Sequence, residues 1–323
     1  MKLDPETAAL MKQLQFLDGG ERDMSAFDIS EVRAAGKAMW QGLNGPEPEG
    51  CLATPMTLPG PAGMIPARLY RPANAARQIL PAVVFFHGGG WALGDLDGYD
   101  SLVKSLSLAS GACFLSVDYR LAPEHPFPAG LDDALAAVRW VGDEAARLYI
   151  DPRRIAVMGD SAGGNLAAVT ARYMRAQAGP PLAGQFLIYP MLDVASPHTR
   201  YPSRAAYGNQ GYVISLRDIE VTTDWYLTDL ALASQPKVSP LLAPDVDGLA
   251  PAVIMTAGFD PLRDEGHVYA EKLRAAGVPV NYCCFEATVH AFLSFGHLGI
   301  AQEGRAWLGA EVRRLLGPSA DTR

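Results

Sequence analysis

The chain has 323 residues, 49% hydrophobic and 19% charged, which excludes a disordered, collagen-like or coiled-coil protein. A soluble globular chain of this length buries roughly three quarters of its unfolded surface, and at about 100 to 200 residues per domain the length alone suggests two domains. The net charge of −8, from 27 basic and 35 acidic residues, opposes a phosphate-rich partner, so no nucleic acid is expected to bind.

In chain order, Leu10, Leu14 and Leu17 form one amphipathic stripe. Val32, Met39 and Leu43 form a second, behind Asp28 with Glu31 three residues on, the spacing of a capping box. Two helices are therefore predicted before any strand, with a linker in the Pro- and Gly-rich run 44–50. Short apolar runs follow: PAVVFF from 81, ACFLSV from 112, RIAVM from 154, GQFLIYP from 184, AVIMTAGF from 252 and VNYCCFEA from 280. Their apolarity is continuous rather than alternating, as suits strands buried on both faces. Helical spacing lies between them, in Leu131, Leu135 and Val138, in Leu166, Val169 and Tyr173, and in Leu262, Tyr269, Leu273 and Ala276. Alternating strand and helix predict an α/β fold with a mainly parallel sheet covered by helices on both sides.

One region breaks the rhythm. Some 50 residues from Met191 to Pro240 separate two predicted strands and carry Tyr201, Tyr207, Tyr212, Trp225 and Tyr226, too long a stretch for an ordinary connection. It reads as an inserted lid with one helix near Asp218 to Leu230. The four cysteines include the adjacent pair Cys283 and Cys284, and the better reading is buried thiols rather than disulfides. No His or Cys pair has zinc-like spacing, so neither a metal nor an organic cofactor is expected. The start MKLDPETAALMKQLQ lacks the apolar stretch of a leader, and no apolar run approaches 18 residues, so a cytoplasmic protein without membrane insertion is expected.

Chemistry enters at Gly159-Asp160-Ser161-Ala162-Gly163, between the strand IAVM and an Ala-rich helix. A tight turn there lifts the serine hydroxyl clear at a helix start, where the field favours a developing anion. Such a pattern arises by chance about 0.15 times in a chain of this composition, so its context must decide. His87-Gly88-Gly89-Gly90-Trp91, closing the strand PAVVFF, has a chance expectation of only about 0.006 and lets backbone amides converge on one point. The amides of Gly88, Gly89 and Ala162 are assigned to an oxyanion hole.

A serine needs a base, and the base an acid to hold its tautomer. Of the histidines after Ser161, His198 lies in the insert and His267 in a predicted helix. His290, just past the strand VNYCCFEA, is the preferred base, with His297 its competitor. Asp260 ends the strand AVIMTAGF and is the preferred acid over Asp264, Glu265 and Glu286, although an Asp before Pro261 is equally a good helix cap. Trp91, Tyr212 and Trp225 are candidates for a substrate pocket, a role that ordinary packing explains as well.

HGGGW at 87–91, YRLAPEHPFPA at 119–129, GDSAGGN at 159–165, DPLRDEG at 260–266 and VHAF at 289–292 together resemble the hormone-sensitive-lipase family of bacterial esterases, within the α/β-hydrolase fold. The resemblance spans nearly the whole chain. It implies a triad of Ser161, Asp260 and His290 that hydrolyses short to medium acyl esters. It also implies a cap made of the N-terminal helices plus an insert after the sixth strand, here about 1–50 and 191–240. One catalytic domain, residues 1–323, then replaces the two suggested by length. Many relatives have His-Gly-Phe where this chain has His290-Ala291-Phe292, and Arg120, Glu124 and His125 read as structural. The alternatives are an amide hydrolase with the same triad, or a ligand-binding relative without turnover. The partner expected is a small ester, and a homo-oligomer is compatible with the sequence.

Overall fold

The structure is a computed structural model that describes residues 2–18, 23–177 and 179–317. Helices α1 (Pro5–Asp18) and α2 (Ile29–Leu43) precede the strands β1 (Cys51–Gly60), β2 (Gly63–Pro72) and β3 (Leu80–Phe86). Then come α3 (Asp100–Ser110), β4 (Cys113–Val117), α4 (Ala129–Asp143), β5 (Ile150–Asp160), α5 (Ala162–Ala176) and β6 (Leu182–Ile188). The insert carries α6 (Pro202–Tyr207) and α7 (Leu216–Tyr226), and β7 (Ala252–Phe259), α8 (Arg263–Ala275), β8 (Val280–Val289) and α9 (Gly299–Leu316) complete the order. No helix among the described residues is long and apolar enough to cross a membrane.

The eight strands form one sheet in the order β1-β2-β4-β3-β5-β6-β7-β8, parallel from β4 to β8 and antiparallel at β1 and β2. The predicted strands appear as β3 to β8. The hairpin of β1 and β2 is an addition: prolines at 55 and 59 interrupt the apolar pattern of β1, which tolerates them as the edge strand, and Pro66 of β2 precedes the pairing with β4, which begins at Ala67. Side chains alternate between two cores, one on each face. Ala82, Val84 and Phe86 of β3 join a cluster with Leu131 and Leu166, whereas Val83 and Phe85 join one with Leu102 and Leu308. Burial on both faces explains why these strands read as unbroken apolar runs.

Beside β3, β4 lies on one side and β5 on the other, so the connections diverge there and the carboxyl ends of β3 and β5 border a crevice. Register then sets the chemistry. Phe86 pairs with Gly159, which brings His87 and Gly88 alongside Asp160 and Ser161. Phe259 pairs with Val289, which brings Asp260 alongside His290.

The N-terminal helices divide. The α1 segment docks at the β8 side, with the Asp4 amide donating to the Ala287 carbonyl at 2.8 Å and the Gly299 amide to Glu6 at 2.8 Å. The side chain of Leu17 lies outside the described residues. The predicted capping box of α2 is present at Asp28 and Glu31. Arg33 of α2 reaches the loop after β3: Nε donates to the Ala92 carbonyl at 2.8 Å, Nη2 to the Ala122 carbonyl at 2.9 Å, and the fork grips Glu124 with two bonds of 2.7 Å. In the insert the helix begins at Leu216, capped by Ser215 with Asp218, and ends at Tyr226 rather than Leu230. The insert is tied down by buried Arg204, whose Nη2 donates to Glu265 of α8 and to the Asp193 carbonyl, each at 2.5 Å.

Candidate active site

Ser161 is the single residue between β5 and α5, and its backbone has φ 55° and ψ −118°. A non-glycine residue rarely adopts positive φ, and it persists only where the surroundings over-determine it. Here the Ser161 amide donates to the Ile188 carbonyl at 2.9 Å, while the Ser161 carbonyl accepts from Asn165 and Met191 at 3.1 Å each. The flanking glycines are required by close approach. A Cβ on Gly159 would stand 2.2 Å from the Gly163 carbonyl oxygen, and one on Gly163 would stand 2.0 Å from that of Phe86.

The Ser161 hydroxyl, on a residue only 8% exposed, lies 3.0 Å from His290 Nε2, and His290 Nδ1 lies 2.8 Å from Asp260 Oδ2. Asp260 is 0% exposed, and its other oxygen accepts the Leu262 amide at 2.8 Å. One oxygen thus braces the turn into α8 while the other faces the histidine, so the capping and acid roles are shared between the two atoms. The competitors lie elsewhere. His297 and Glu286 are exposed, His267 is exposed on α8 against Tyr282, and His198 in the insert contacts Arg204. Asp264 accepts the Ser203 amide, and Glu265 is paired with Arg204. Ala291 has φ 59° and ψ 13°, the left-handed region that glycine enters without strain.

The oxyanion assignment needs one correction. The Gly88 amide does not face the serine side of the turn: it donates to Asp160 Oδ1 at 2.8 Å and to the Tyr99 hydroxyl oxygen at 3.1 Å, and an amide bound to a buried carboxylate cannot also serve an oxyanion. Gly89 and Gly90 have φ of 114° and 59°, as a turn made of glycine permits. A Cβ on Gly90 would meet Thr222 of α7 at 2.5 Å, so the insert lies directly over this loop. His87 is buried and stacked on Tyr119 at 4.5 Å, and Nδ1 lies 2.8 Å from the Gly88 carbonyl oxygen. Burial holds its pKa below the usual histidine value, in keeping with a structural role.

Asp160 has no role assigned from the sequence. It is 1% exposed, and burial pushes its carboxyl up to about 6 despite hydrogen bonds from Tyr99 and Gly88. The only available signal was an acid standing inside an otherwise apolar elbow.

The pocket candidates separate. Trp91 is 1% exposed and lies face to face with Tyr226, ring centres 4.2 Å apart, so it packs the loop against α7 and has no free face for a ligand. Tyr212 is half-buried beside Phe259, the neighbour of Asp260, at 5.7 Å between ring centres. Trp225 is half-buried against the core cluster that contains Leu131 and Leu166. In the segment 119–129, Arg120 binds Asp133 with two bonds of 2.9 Å, Glu124 holds Arg33, and His125 is exposed.

A family described as alpha/beta hydrolase fold matches residues 83–294. The chain is 43% identical over 303 residues to the carboxylic ester hydrolase LipN of Mycobacterium tuberculosis, covering 92% of this chain and 78% of that protein. It is 46% identical over 236 residues to the carboxylesterase NlhH of the same organism, covering 72% of each. The solved hyperthermophilic esterase of the archaeon Pyrobaculum calidifontis superposes with a TM-score of 0.89 at 36% identity, over 97% of this chain and 99% of that one. A match across most of the chain, with identities of this size, means that the protein belongs to the α/β-hydrolase family.

Proposed function

We propose that the protein hydrolyses carboxylic esters through an acyl-enzyme formed on Ser161, with His290 as base and Asp260 as the acid that orients it. The observation that carries this reading is the hydrogen-bond line from Ser161 Oγ to His290 Nε2 at 3.0 Å and from Nδ1 to Asp260 Oδ2 at 2.8 Å. The names of the relatives, carboxylic ester hydrolase and carboxylesterase, support the ester as the bond attacked.

In the first step the Ser161 oxygen bonds to the ester carbonyl carbon while its proton passes to His290 Nε2, and the carbonyl electron pair moves onto oxygen. Asp260 stabilises the imidazolium so formed. With Gly88 engaged elsewhere, the amides left to meet the oxyanion are those of Gly89, Gly90 and Ala162, and each such donor is worth about 10²- to 10³-fold in rate. Collapse expels the alcohol, which takes the proton from Nε2. Water, deprotonated by the same nitrogen, then attacks the acyl-enzyme and releases the acid. The N-terminal helices and the insert serve as a lid in this reading, supported by the contact of Thr222 with Gly90 and of Arg33 with Ala92. Short to medium acyl esters are the proposed substrates, from the resemblance of the motifs at 87–91 and 159–165.

The test uses a ladder of p-nitrophenyl esters and an organophosphate. Turnover of the short members, a single phosphoryl adduct on Ser161, and a loss of roughly 10⁴-fold or more in kcat for Ser161→Ala are expected. Full activity in that variant overturns the acyl-enzyme.

A further inference from the structure

We propose that Asp160, braced by Tyr99, is a positioning residue for the ester-hydrolysing site: its carboxylate captures the Gly88 amide and thereby turns the following amides, Gly89 and Gly90, toward Ser161. The inference rests on the acyl-enzyme reading above and deepens it.

Three groups close a small buried ring. Gly88 N–H donates to Asp160 Oδ1 at 2.8 Å, Tyr99 O–H donates to Asp160 Oδ2 at 3.1 Å, and Gly88 N–H also reaches the Tyr99 oxygen at 3.1 Å. Asp160 and Tyr99 are both buried, so none of these bonds competes with bulk water. Contact is close on every side. A Cβ at Gly88 would stand 2.6 Å from Asp160 Oδ2 and 3.0 Å from the Tyr99 hydroxyl, so the backbone is held against the carboxylate itself.

Asp160 has no part in the proton line, which runs through Asp260 and His290. It is nevertheless the residue before the nucleophile, on the strand whose register sets Gly159 against Phe86. Each residue has two soft backbone dihedrals, and three successive glycines would otherwise leave the loop many orientations. Fixing the first amide removes that freedom at its root. The loop then needs no reorganisation when charge develops, which is the condition for strong electrostatic stabilisation.

Steady-state kinetics on the full chain with a short p-nitrophenyl ester test this, with folding of each variant checked by thermal melting and Ser161→Ala as the control. Asp160→Ala is expected to lower kcat about 100-fold with KM within about threefold, since what is lost acts in the transition state. Asp160→Asn keeps a carbonyl acceptor for Gly88 and is expected to stay within about tenfold of the parent. Tyr99→Phe removes only the brace, and about a three- to tenfold fall in kcat at unchanged KM is expected. A folded Asp160→Ala protein with kcat within about twofold of the parent overturns the proposal. So does an Asn variant as impaired as the Ala one, because charge rather than hold on the loop would then set the rate. If Asp160→Ala does not fold, Tyr99→Phe decides, and an unchanged kcat overturns it. Activity surviving in Ser161→Ala would instead defeat the acyl-enzyme while leaving the loop geometry untouched, so the two failures are distinguishable.

Discussion

The rim of strand ends that gathers Ser161, Asp260 and His290 and the cover made of α2 and the insert are positioned by different means. At the rim, backbone register does the placing. Phe86 opposite Gly159 and Phe259 opposite Val289 set the reactive groups before any side chain is chosen, and two apolar cores lock that register. The cover shares the apolar core through Ile219 and Tyr226 of the insert, and its position is pinned by ion pairs: Arg204 to Glu265, Arg33 to Glu124, Lys37 to Asp95 and Arg217 to Asp23. A sheet register cannot shift by one residue without turning its side chains to the wrong face, whereas an ion pair can be exchanged for another. The chemistry is therefore rigidly specified and its cover is separately adjustable.

The sharpest way to break that comparison is at Arg204, which is 1% exposed. Glu265→Ala strands a buried guanidinium and should lower stability by about 3 to 5 kcal/mol in denaturant unfolding, whereas replacing both partners with apolar residues of similar volume should come close to neutral. A small effect of the single change would place the anchor in apolar packing instead. Arg33→Ala should do less, about 1 kcal/mol in the same measurement, because its pair with Glu124 is partly exposed and screened. Arg33→Lys should not restore it, since an ammonium cannot grip a carboxylate and two carbonyls in one plane. The smallest effect, and of opposite sign, belongs to the rim. Ala291→Gly should stabilise the fold by about 0.5 to 1 kcal/mol in a thermal melt with kcat unchanged, by relieving a left-handed alanine. A destabilised Gly variant would mean that the alanine methyl packs better than its backbone is strained.

How far the sequence could be read follows the same division. The turn at Ser161 and the loop at 87–91 were legible because their backbone demands leave marks: glycines at 159 and 163, a glycine triplet at 88–90, and β-branched runs before each. The β1–β2 hairpin was hidden, since an edge strand tolerates the very prolines that argue against a strand. The direction of the Gly88 amide was hidden too, because a string of letters does not say which way a peptide plane turns. The packing of Trp91 was hidden for a related reason: an aromatic side chain suits a pocket wall and a core alike, and its partner Tyr226 lies 135 positions further on, so only folding joins them. Long-range pairs such as Arg33 with Glu124 carry no periodicity, and a lone arginine on a polar helix face looks like any other.

The stack of Trp91 on Tyr226 has an optical consequence. Of the five tryptophans, Trp40, Trp140, Trp225 and Trp307 are half-buried, and Trp91 is the one wholly shielded from water. Its indole belongs to the glycine loop, while the ring 4.2 Å away, nearly parallel at 4°, ends the insert helix. Lifting the insert would wet that indole and shift its emission to the red. The chain therefore carries a built-in fluorophore at the seam between its chemistry and its cover.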